Sequence, residues 1–430
     1  MRARHTLKCR RRLRAARVGV DWYHRRMRSS VWFRGALGVL MIGVVQASAL
    51  VVAQTDALAI HPVPVAASRA SSLVRLGDGT VLAWGVNEFV QLGDGSTASR
   101  LEPDVVQRLP LVQAVAATDT RGFAVDADGH VWHWGGEGVR LNATNAMLAP
   151  VEPLRVRVEP ARVNGLDRVV GVAAGPLFAF ALREDGSVWA FDDPAARRLR
   201  ARSTMVALML SQSVVVAHEA YEVPQRVNGV GNVRALAVAY DRVALVRDDG
   251  TVWVWGPESW VHWVDPERMG LWVDPLQVPS LSDVHAVAAG ADFFLALRTD
   301  GTVWAWGMNE SGQLGDGTEQ SRQEPVQVLG LSDVEMIAAG FDHALAVRDD
   351  GSVWAWGANA LGQLGDGGEV ARSVPGEVIG LTDVVGIAAG WSHSLAITAD
   401  GGVWSWGWDR FEPYGAGRED WSVPRQVTLP

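Results

Sequence analysis

From about residue 60 onward, short apolar runs alternate with breaks rich in Gly, Asp and Pro. Met336-Ile337-Ala338-Ala339 stops at Gly340, and a turn leads into His343-Ala344-Leu345-Ala346-Val347. Asp350-Gly351 then reverses the chain into Val353-Trp354-Ala355-Trp356. Runs this short, bounded by turn residues and rich in β-branched and aromatic side chains, predict strands rather than helices. Asp-Gly between two of them is a hairpin signal, because Gly adopts φ > 0 without steric cost. A loop containing Gln363-Leu364-Gly365-Asp366-Gly367 follows, and Pro375-Gly376-Glu377-Val378 supplies a fourth strand. Pairs such as Trp354 and Trp356 flank further apolar residues, so both faces of these strands are apolar, as expected of sheets covered on both sides.

The same unit recurs seven times, at Asp78–Gly85, Asp128–Gly135, Asp185–Asp192, Asp249–Gly256, Asp300–Gly307, Asp350–Gly357 and Asp400–Gly407. Successive starts lie 50, 57, 64, 51, 50 and 50 residues apart. About four short strands per unit, repeated seven times, predict an all-β, seven-bladed β-propeller over residues 60–430. Counted from Asp-Gly, the first unit begins with Val65-Ala66-Ala67-Ser68 and the last ends at Val423–Val427, each terminus holding what the other lacks. The expectation is a ring closed by pairing of the N- and C-terminal strands, with no open sheet edge. The first tryptophan of each Trp-x-Trp, such as Trp304 and Trp354, is expected to be a core residue whose loss unfolds its blade.

Charge separates the chain into two parts. Residues 1–34 carry eleven Arg and Lys8 against the single acid Asp21, so the overall charge of −9 understates the acidity of the remainder. An acidic body repels phosphate backbones and argues against nucleic acid as a partner. Gly35–Thr55 holds no charge, and small residues follow at Ala47-Ser48-Ala49, Val51-Val52-Ala53 and Ala57-Leu58-Ala59. These are the parts of a secretory signal peptide, and residues 1–59 are expected to be a basic leader with a cleaved signal. The alternative is an uncleaved anchor in residues 35–55, the only membrane contact expected. The basic stretch is long for a leader, and a start at Met27 would give ordinary proportions. Both versions place the body in the cell envelope or outside the cell. Cys9 is the only cysteine, so the body has no thiol for a disulfide or a thiolate metal site.

The pattern A-A-G-x-x-H-x-L-A-V-x-x-D-G-x-V-W-A-W-G-x-N-x-x-G-Q-L-G-D-G, nearly complete over Gly340–Gly367, resembles the repeat of the regulator of chromosome condensation family. Gly290–Gly317 carries it too, with Phe294 read in the place of the histidine. The resemblance covers about residues 60–430 and implies a seven-bladed propeller. In the family's eukaryotic founder it further implies guanine-nucleotide exchange on a small nuclear GTPase, with a basic tail on chromatin. The hairpin wedge used there matches no segment of this chain. An apolar export segment followed by an acidic body is closer in character to secreted bacterial members, one of which presents aromatic loop residues to a β-lactamase. Thirty-eight Arg against one Lys fits a GC-rich bacterial source.

No catalytic, cofactor or metal site is expected. His343 and His393 recur at a repeat position and are read as making a hydrogen bond within the blade. The Gly-Asp-Gly turns lack calcium-ligand spacing, and His218–Glu222 misses H-E-x-x-H because its fifth residue is Glu. G-x-S-x-G, G-x-x-x-x-G-K and C-x-x-C do not occur. Two departures from the repeat are candidate protein-binding elements. Unit four replaces Gln-Leu-Gly-Asp-Gly with a segment bearing Trp260, Trp263, Arg268 and Trp272, residue types that dominate interface hot spots; a local core within that loop is the other reading. Residues 195–221 form an insertion with a basic start and an apolar middle. The turns after each A-A-G carry variable aromatics, read as Phe178, Phe293, Phe341 and Trp391, which would gather at one end of the axis. Phe341 and Trp391 directly follow the turn glycine. The function expected is that of a monomeric, exported interaction module that binds an unidentified protein through aromatic loops. Nucleotide exchange on a small GTPase is the alternative, and an enzyme acting on polysaccharide is a third.

Overall fold

The computed structural model describes residues 64–136, 156–175, 178–192, 224–239, 242–255, 275–408 and 421–430. Residues 1–63, the insertion at 195–221 and the loop with Trp260, Trp263, Arg268 and Trp272 lie outside them.

Seven four-stranded antiparallel sheets make up the described chain, each built from four consecutive strands. The sixth blade shows the plan, running from the axis outward as Val334–Ala339, His343–Arg348, Val353–Gly357 and Arg372–Glu377. These are strands A to D. Burial falls along this order. Strand B is buried apart from its last residue, whereas strand D, Arg-Gln-Glu-Pro-Val-Gln in the fifth blade, is partly or fully exposed throughout. The apolar faces of A, B and C meet those of the next blade, which is why both faces of these strands are apolar. Ile337, Ala339, Ala344 and Ala346 of the sixth blade thus share a core with Leu295, Leu297 and Val303 of the fifth.

The seven-bladed ring matches expectation, but its closure does not. Strand Val65–Ala67 pairs with Ser71–Arg75 in the first blade, and Arg425–Gln426 pairs with Val403–Gly407 in the last. The terminal strands do not pair with each other. The D-G signature marks the B–C hairpin, the middle of a blade, so units counted from it split the first blade and create an apparent complementarity of the ends. Closure comes instead from face-to-face packing of complete blades, with Val65, Ala67, Val74 and Trp84 against Ala388, Leu395, Ile397 and Val403.

The hairpin glycines do a second job that the turn rule does not foresee. Gly351 has φ 75°, and a Cβ there would lie 2.8 Å from the backbone of Asp383, where the chain enters the seventh blade with a left-handed φ of 55°. The carbonyl of Gly351 accepts from Val384 N–H. Each hairpin from the first to the sixth blade makes this bond to the next blade. Gly351→Ala therefore combines a strained φ with a backbone clash and is expected to cost about 2 kcal/mol or more. Urea denaturation measures this, and a loss under about 0.5 kcal/mol would contradict the packing.

The two tryptophans of Trp-x-Trp are not equivalent. Trp306, Trp356 and Trp406 are fully buried, whereas Trp304 and Trp354 are half-buried. A guanidinium covers the outer ring in three blades, with Arg183 over Trp189 at 4.1 Å, Arg247 over Trp253 at 4.0 Å and Arg348 over Trp354 at 4.0 Å. The expectation that Trp304 and Trp354 are the blade's core tryptophans is corrected: the second position holds the core.

Candidate functional site

Antiparallel order places the A–B turns and C–D loops at one end of the ring and the Asp-Gly hairpins at the other. At the first end, backbone hydrogen bonds link successive A–B turns around the axis. Ala291 N–H donates to Phe341 O at 3.2 Å, Phe341 N–H to Gly390 O at 3.1 Å and Trp391 N–H to Ser68 O at 3.2 Å. Arg69 N–H then reaches Asp119 Oδ1 at 2.9 Å. The belt holds residues 69, 119, 291, 341 and 391 in equivalent places on successive turns, so sequence differences between blades become a pattern on one small surface.

That pattern is a stack. The rings of Phe341 and Trp391 lie 4.2 Å apart and 2° from parallel, and the Arg69 guanidinium lies 4.5 Å from the Trp391 centroid. Trp391 is therefore 8% exposed, while Phe341 is half-buried. Such contacts contribute about 0.5–1.5 kcal/mol each and fix the rings in place. Of the six residues singled out from the sequence, the structure brings these two together. The other four lie outside the described residues, although Trp255, from which their segment departs, ends strand C at the same end of the ring. Phe293 is not a turn residue. It stands opposite Gly307 as His343 stands opposite Gly357, so Phe293, not Phe294, fills the histidine place, fully buried. Phe178, opposite Asp192, holds the corresponding place in the third blade. Arg69 and Asp119 were missed, because in the first two blades the A-A-G signature is replaced by Ala-Ala-Ser and Ala-Ala-Thr.

The histidines bond between blades rather than within them. His343 Nε2 lies 3.0 Å from Ser394 Oγ of the next blade, and His393 Nε2 lies 3.3 Å from Ser72 Oγ across the closing seam. Burial, with the neighbouring His393, pushes the His343 pKa down to about 3. Its neutral ring is a structural strut. A Cβ at Gly340 would lie 2.4 Å from the His343 ring, which accounts for the glycine of A-A-G.

The C–D loops are built by their own motif. Asn359 accepts from Leu364 N–H at 3.0 Å and donates to Asp366 Oδ1 at 3.0 Å, while Gln363 Oε1 accepts from Leu361 N–H at 2.9 Å. The Gln363 carbonyl receives Trp406 Nε1–H of the next blade at 2.9 Å. Gln313 and Gln91 receive Trp356 and Trp134 identically. Trp306 follows a blade without the motif, and its Nε1 is buried without a hydrogen-bond partner among the described residues.

At the opposite end, Asp126, Asp128 and His130 gather their ligand atoms within 4.8 Å of one another. Asp126 stands where the third, fourth and sixth blades have the arginine that covers the outer tryptophan. One oxygen accepts from the backbone of Asp128 and His130, the other from Trp132 Nε1 at 2.8 Å. Burial opposes its charge, but the bonds from Trp132 and His130 outweigh that and hold its carboxyl below the ordinary range. The group serves as a hairpin cap.

A family model described as "RCC1-like domain" matches residues 158–430, and one described as "Regulator of chromosome condensation (RCC1) repeat" matches residues 78–125. Human E3 ubiquitin-protein ligase HERC2 is 29% identical over 263 residues, which span 57% of this chain and 5% of that one. The Xenopus laevis Regulator of chromosome condensation is 25% identical over 301 residues, 56% of this chain and 70% of that one. The bovine Secretion-regulating guanine nucleotide exchange factor is 26% identical over 276 residues, 58% and 55% of the two chains. Among solved structures, Prp20p from Saccharomyces cerevisiae superposes with a TM-score of 0.64 at 21% identity, covering 86% of this chain and 87% of that one. Human WBSCR16 gives 0.61 at 22%, covering 82% and 94%. These two show the same fold.

Proposed function

Because the chain belongs to the RCC1-like domain family, whose ring it shares, we propose that it is an exported interaction module. It binds a protein partner at the end of the ring that carries the A–B turns. The single observation that supports this reading is the Arg69–Trp391–Phe341 stack. It is absent from the blades that keep Ala291 or Asp119 at that place, it is held rigid by the backbone belt, and Phe341 retains exposed surface. Rigid aromatics beside an arginine, already ordered before binding, give contact area at small entropic cost. The segment with Trp260, Trp263, Arg268 and Trp272 departs from the same end and would extend the contact. Export rests on the uncharged run Gly35–Thr55 behind a basic leader. The module is read as non-catalytic.

Nucleotide exchange on a small GTPase is the second reading, favoured by the name of the bovine relative. A photo-crosslinking residue at position 341 of the full chain, exposed to envelope and culture-fluid proteins, identifies the partner. Phe341→Ala is then expected to weaken that partner's binding about tenfold or more, with an unchanged melting profile. Undiminished binding by both Phe341→Ala and a Trp260/Trp263/Trp272→Ala variant would refute the aromatic face. Nucleotide release from a captured GTPase would replace the first reading with the second.

A further inference from the structure

The linkers that carry the chain from strand D into the next blade lie at the hairpin end of the ring. In the linker into the fourth blade, Val227 and Val230 are buried, and Asn228-Gly229 between them is exposed. In the linker into the third blade, Leu166 is buried, and Asn164-Gly165 before it is exposed. Each apolar anchor thus leaves a short turn in solvent, where the glycine takes a left-handed φ, 84° at Gly165 and 75° at Gly229. The residue before it answers to no packing constraint: the linkers into the fifth, sixth and seventh blades hold Pro279, Leu329 and Ile379 in the same place. The chain contains two Asn-Gly pairs, and they are these two.

Asparagine is a chemically labile residue, and a following glycine exposes it most, because no side chain shields the main-chain nitrogen that attacks the asparagine amide. Three features of a fold oppose that attack: a glycine N–H already committed to a hydrogen bond, a side chain held by partners, and an ionised carboxylate in place of the amide. The Asp-Gly hairpin of the sixth blade has all three. Gly351 N–H donates to Arg348 O at 2.9 Å, Asp350 Oδ1 accepts from Ser352 N–H at 2.9 Å, and the bonds from Ser352 hold the Asp350 carboxyl below its ordinary value. The hairpins of the third and fourth blades are closed in the same way. Neither Asn-Gly pair is protected so. Among the described residues, no hydrogen bond engages the side chain of Asn164 or Asn228, or the N–H of Gly165 or Gly229. Asn309 and Asn359, by contrast, are fully buried, donate to Asp316 and Asp366, and do not precede glycine.

We propose that Asn164 and Asn228 deamidate spontaneously in the folded protein, which makes the two linkers modification sites whose charge changes with the age of the molecule. The nitrogen of Gly165 or Gly229 bonds to the asparagine Cγ, the bond from Cγ to the amide nitrogen breaks, and ammonia leaves with the proton of the glycine N–H. Water then opens the succinimide at either carbonyl, to aspartate or isoaspartate, with no change of oxidation state. Each site gains one negative charge. The consequence reaches the blade through an arginine. Arg183 donates to Gly165 O at 3.1 Å and Arg247 to Gly229 O at 3.2 Å, and the same guanidinium groups cover Trp189 and Trp253. Isoaspartate adds a methylene to the main chain directly before that glycine, and so shifts the carbonyl that holds the arginine over its tryptophan. These linkers lie at the end of the ring opposite the Arg69–Trp391–Phe341 stack, so either reading can fail without the other.

The test incubates the full chain, folded, in heavy-oxygen water at mildly alkaline pH and maps its peptides by tandem mass spectrometry. Heavy oxygen is expected to enter at positions 164 and 228, in both aspartate and isoaspartate, at least about tenfold faster than at Asn309 or Asn359, a barrier difference of about 1.4 kcal/mol. Asn164→Gln combined with Asn228→Gln keeps the amides but would have to close a six-membered ring. That double variant should hold its position on ion-exchange chromatography while the parent becomes steadily more acidic. Conversion at the two sites in urea-denatured chain but not in folded chain would show that the fold protects the linkers and would overturn the proposal. So would heavy oxygen entering at Asp185, Asp249 or Asp350 as fast as at the two asparagines, because the hairpin hydrogen bonds would then give no protection.

Discussion

Trp356→Ala is expected to destabilise the ring by about 3–5 kcal/mol, and Trp354→Ala by clearly less, although the two residues are neighbours in one strand. Trp356 is fully buried in the seam between the fifth and sixth blades, packed with Leu314, Val328 and Ala305. Its Nε1–H is received by Gln313 O at 2.9 Å. Truncation leaves a ring-sized cavity between two blades that cannot collapse without moving the loop, and it strands a buried carbonyl. Trp354 has one face under Arg348 at 4.0 Å and its Nε1 on Ser352 Oγ at 3.2 Å, in a half-buried place that water can fill. Its loss is expected to cost about 1–2 kcal/mol. Trp356→Phe keeps most of the packing and removes the hydrogen bond, for about 1 kcal/mol beyond the lost area. Urea midpoints at constant m measure all three. Equal costs for Trp354→Ala and Trp356→Ala would show that the seam assignment is wrong.

The same contrast shows what the sequence could and could not reveal. Strand count, hairpin positions and the number of blades were legible because they follow from local periodicity and from Asp-Gly turns, which each unit states for itself. Relations between blades were not. Which tryptophan faces the seam depends on the neighbouring unit's loop, and Trp354 and Trp356 both read as apolar strand residues. The repeat position predicts struts within one blade for the histidines, whereas His343 reaches Ser394, 51 residues on. Closure by strand pairing does not follow from the repeat, because a repeat has no intrinsic starting point and Asp78-Gly79 lies in the middle of a blade. The Arg69–Trp391–Phe341 stack joins residues more than 300 positions apart in sequence, and only a closed ring brings Arg69 onto Trp391. Two of the candidate binding residues were found because they follow a glycine signature. Arg69 was not, because its blade lost that signature.

Acidification from pH 7 to 4.5 is expected to remove about 2–3 kcal/mol of stability through His343 alone. Its pKa falls from 6.5 to about 3 in the fold, through burial first and the proximity of His393 second. The unfolded chain therefore binds a proton that the folded chain refuses throughout this window. The stability contributed by a depressed histidine is complete above the unfolded value and is lost as pH falls toward the folded one. The hairpin carboxylates act lower. Asp300 and Asp350 accept from Thr302 and Ser352, which hold them below their ordinary value of 3.8, so their contribution fades only beneath that pH. The molecule supplies its own control. Where the sixth and seventh blades use His343 and Ser394, the fifth and sixth use Phe293 and Ala344 at the same registers, with Gly290 packed on the Phe293 ring as Gly340 is on His343. His343→Phe combined with Ser394→Ala copies that pair. It is expected to fold with nearly the parent's stability at pH 7 and to lose about 2–3 kcal/mol less on going to pH 4.5. His343→Ala, by contrast, should lower stability at both pH values by leaving a cavity and breaking the bond to Ser394. Urea unfolding at the two pH values compares the three proteins. If the double variant lost as much stability in acid as the parent, His343 would not be the neutral strut between blades that its burial implies.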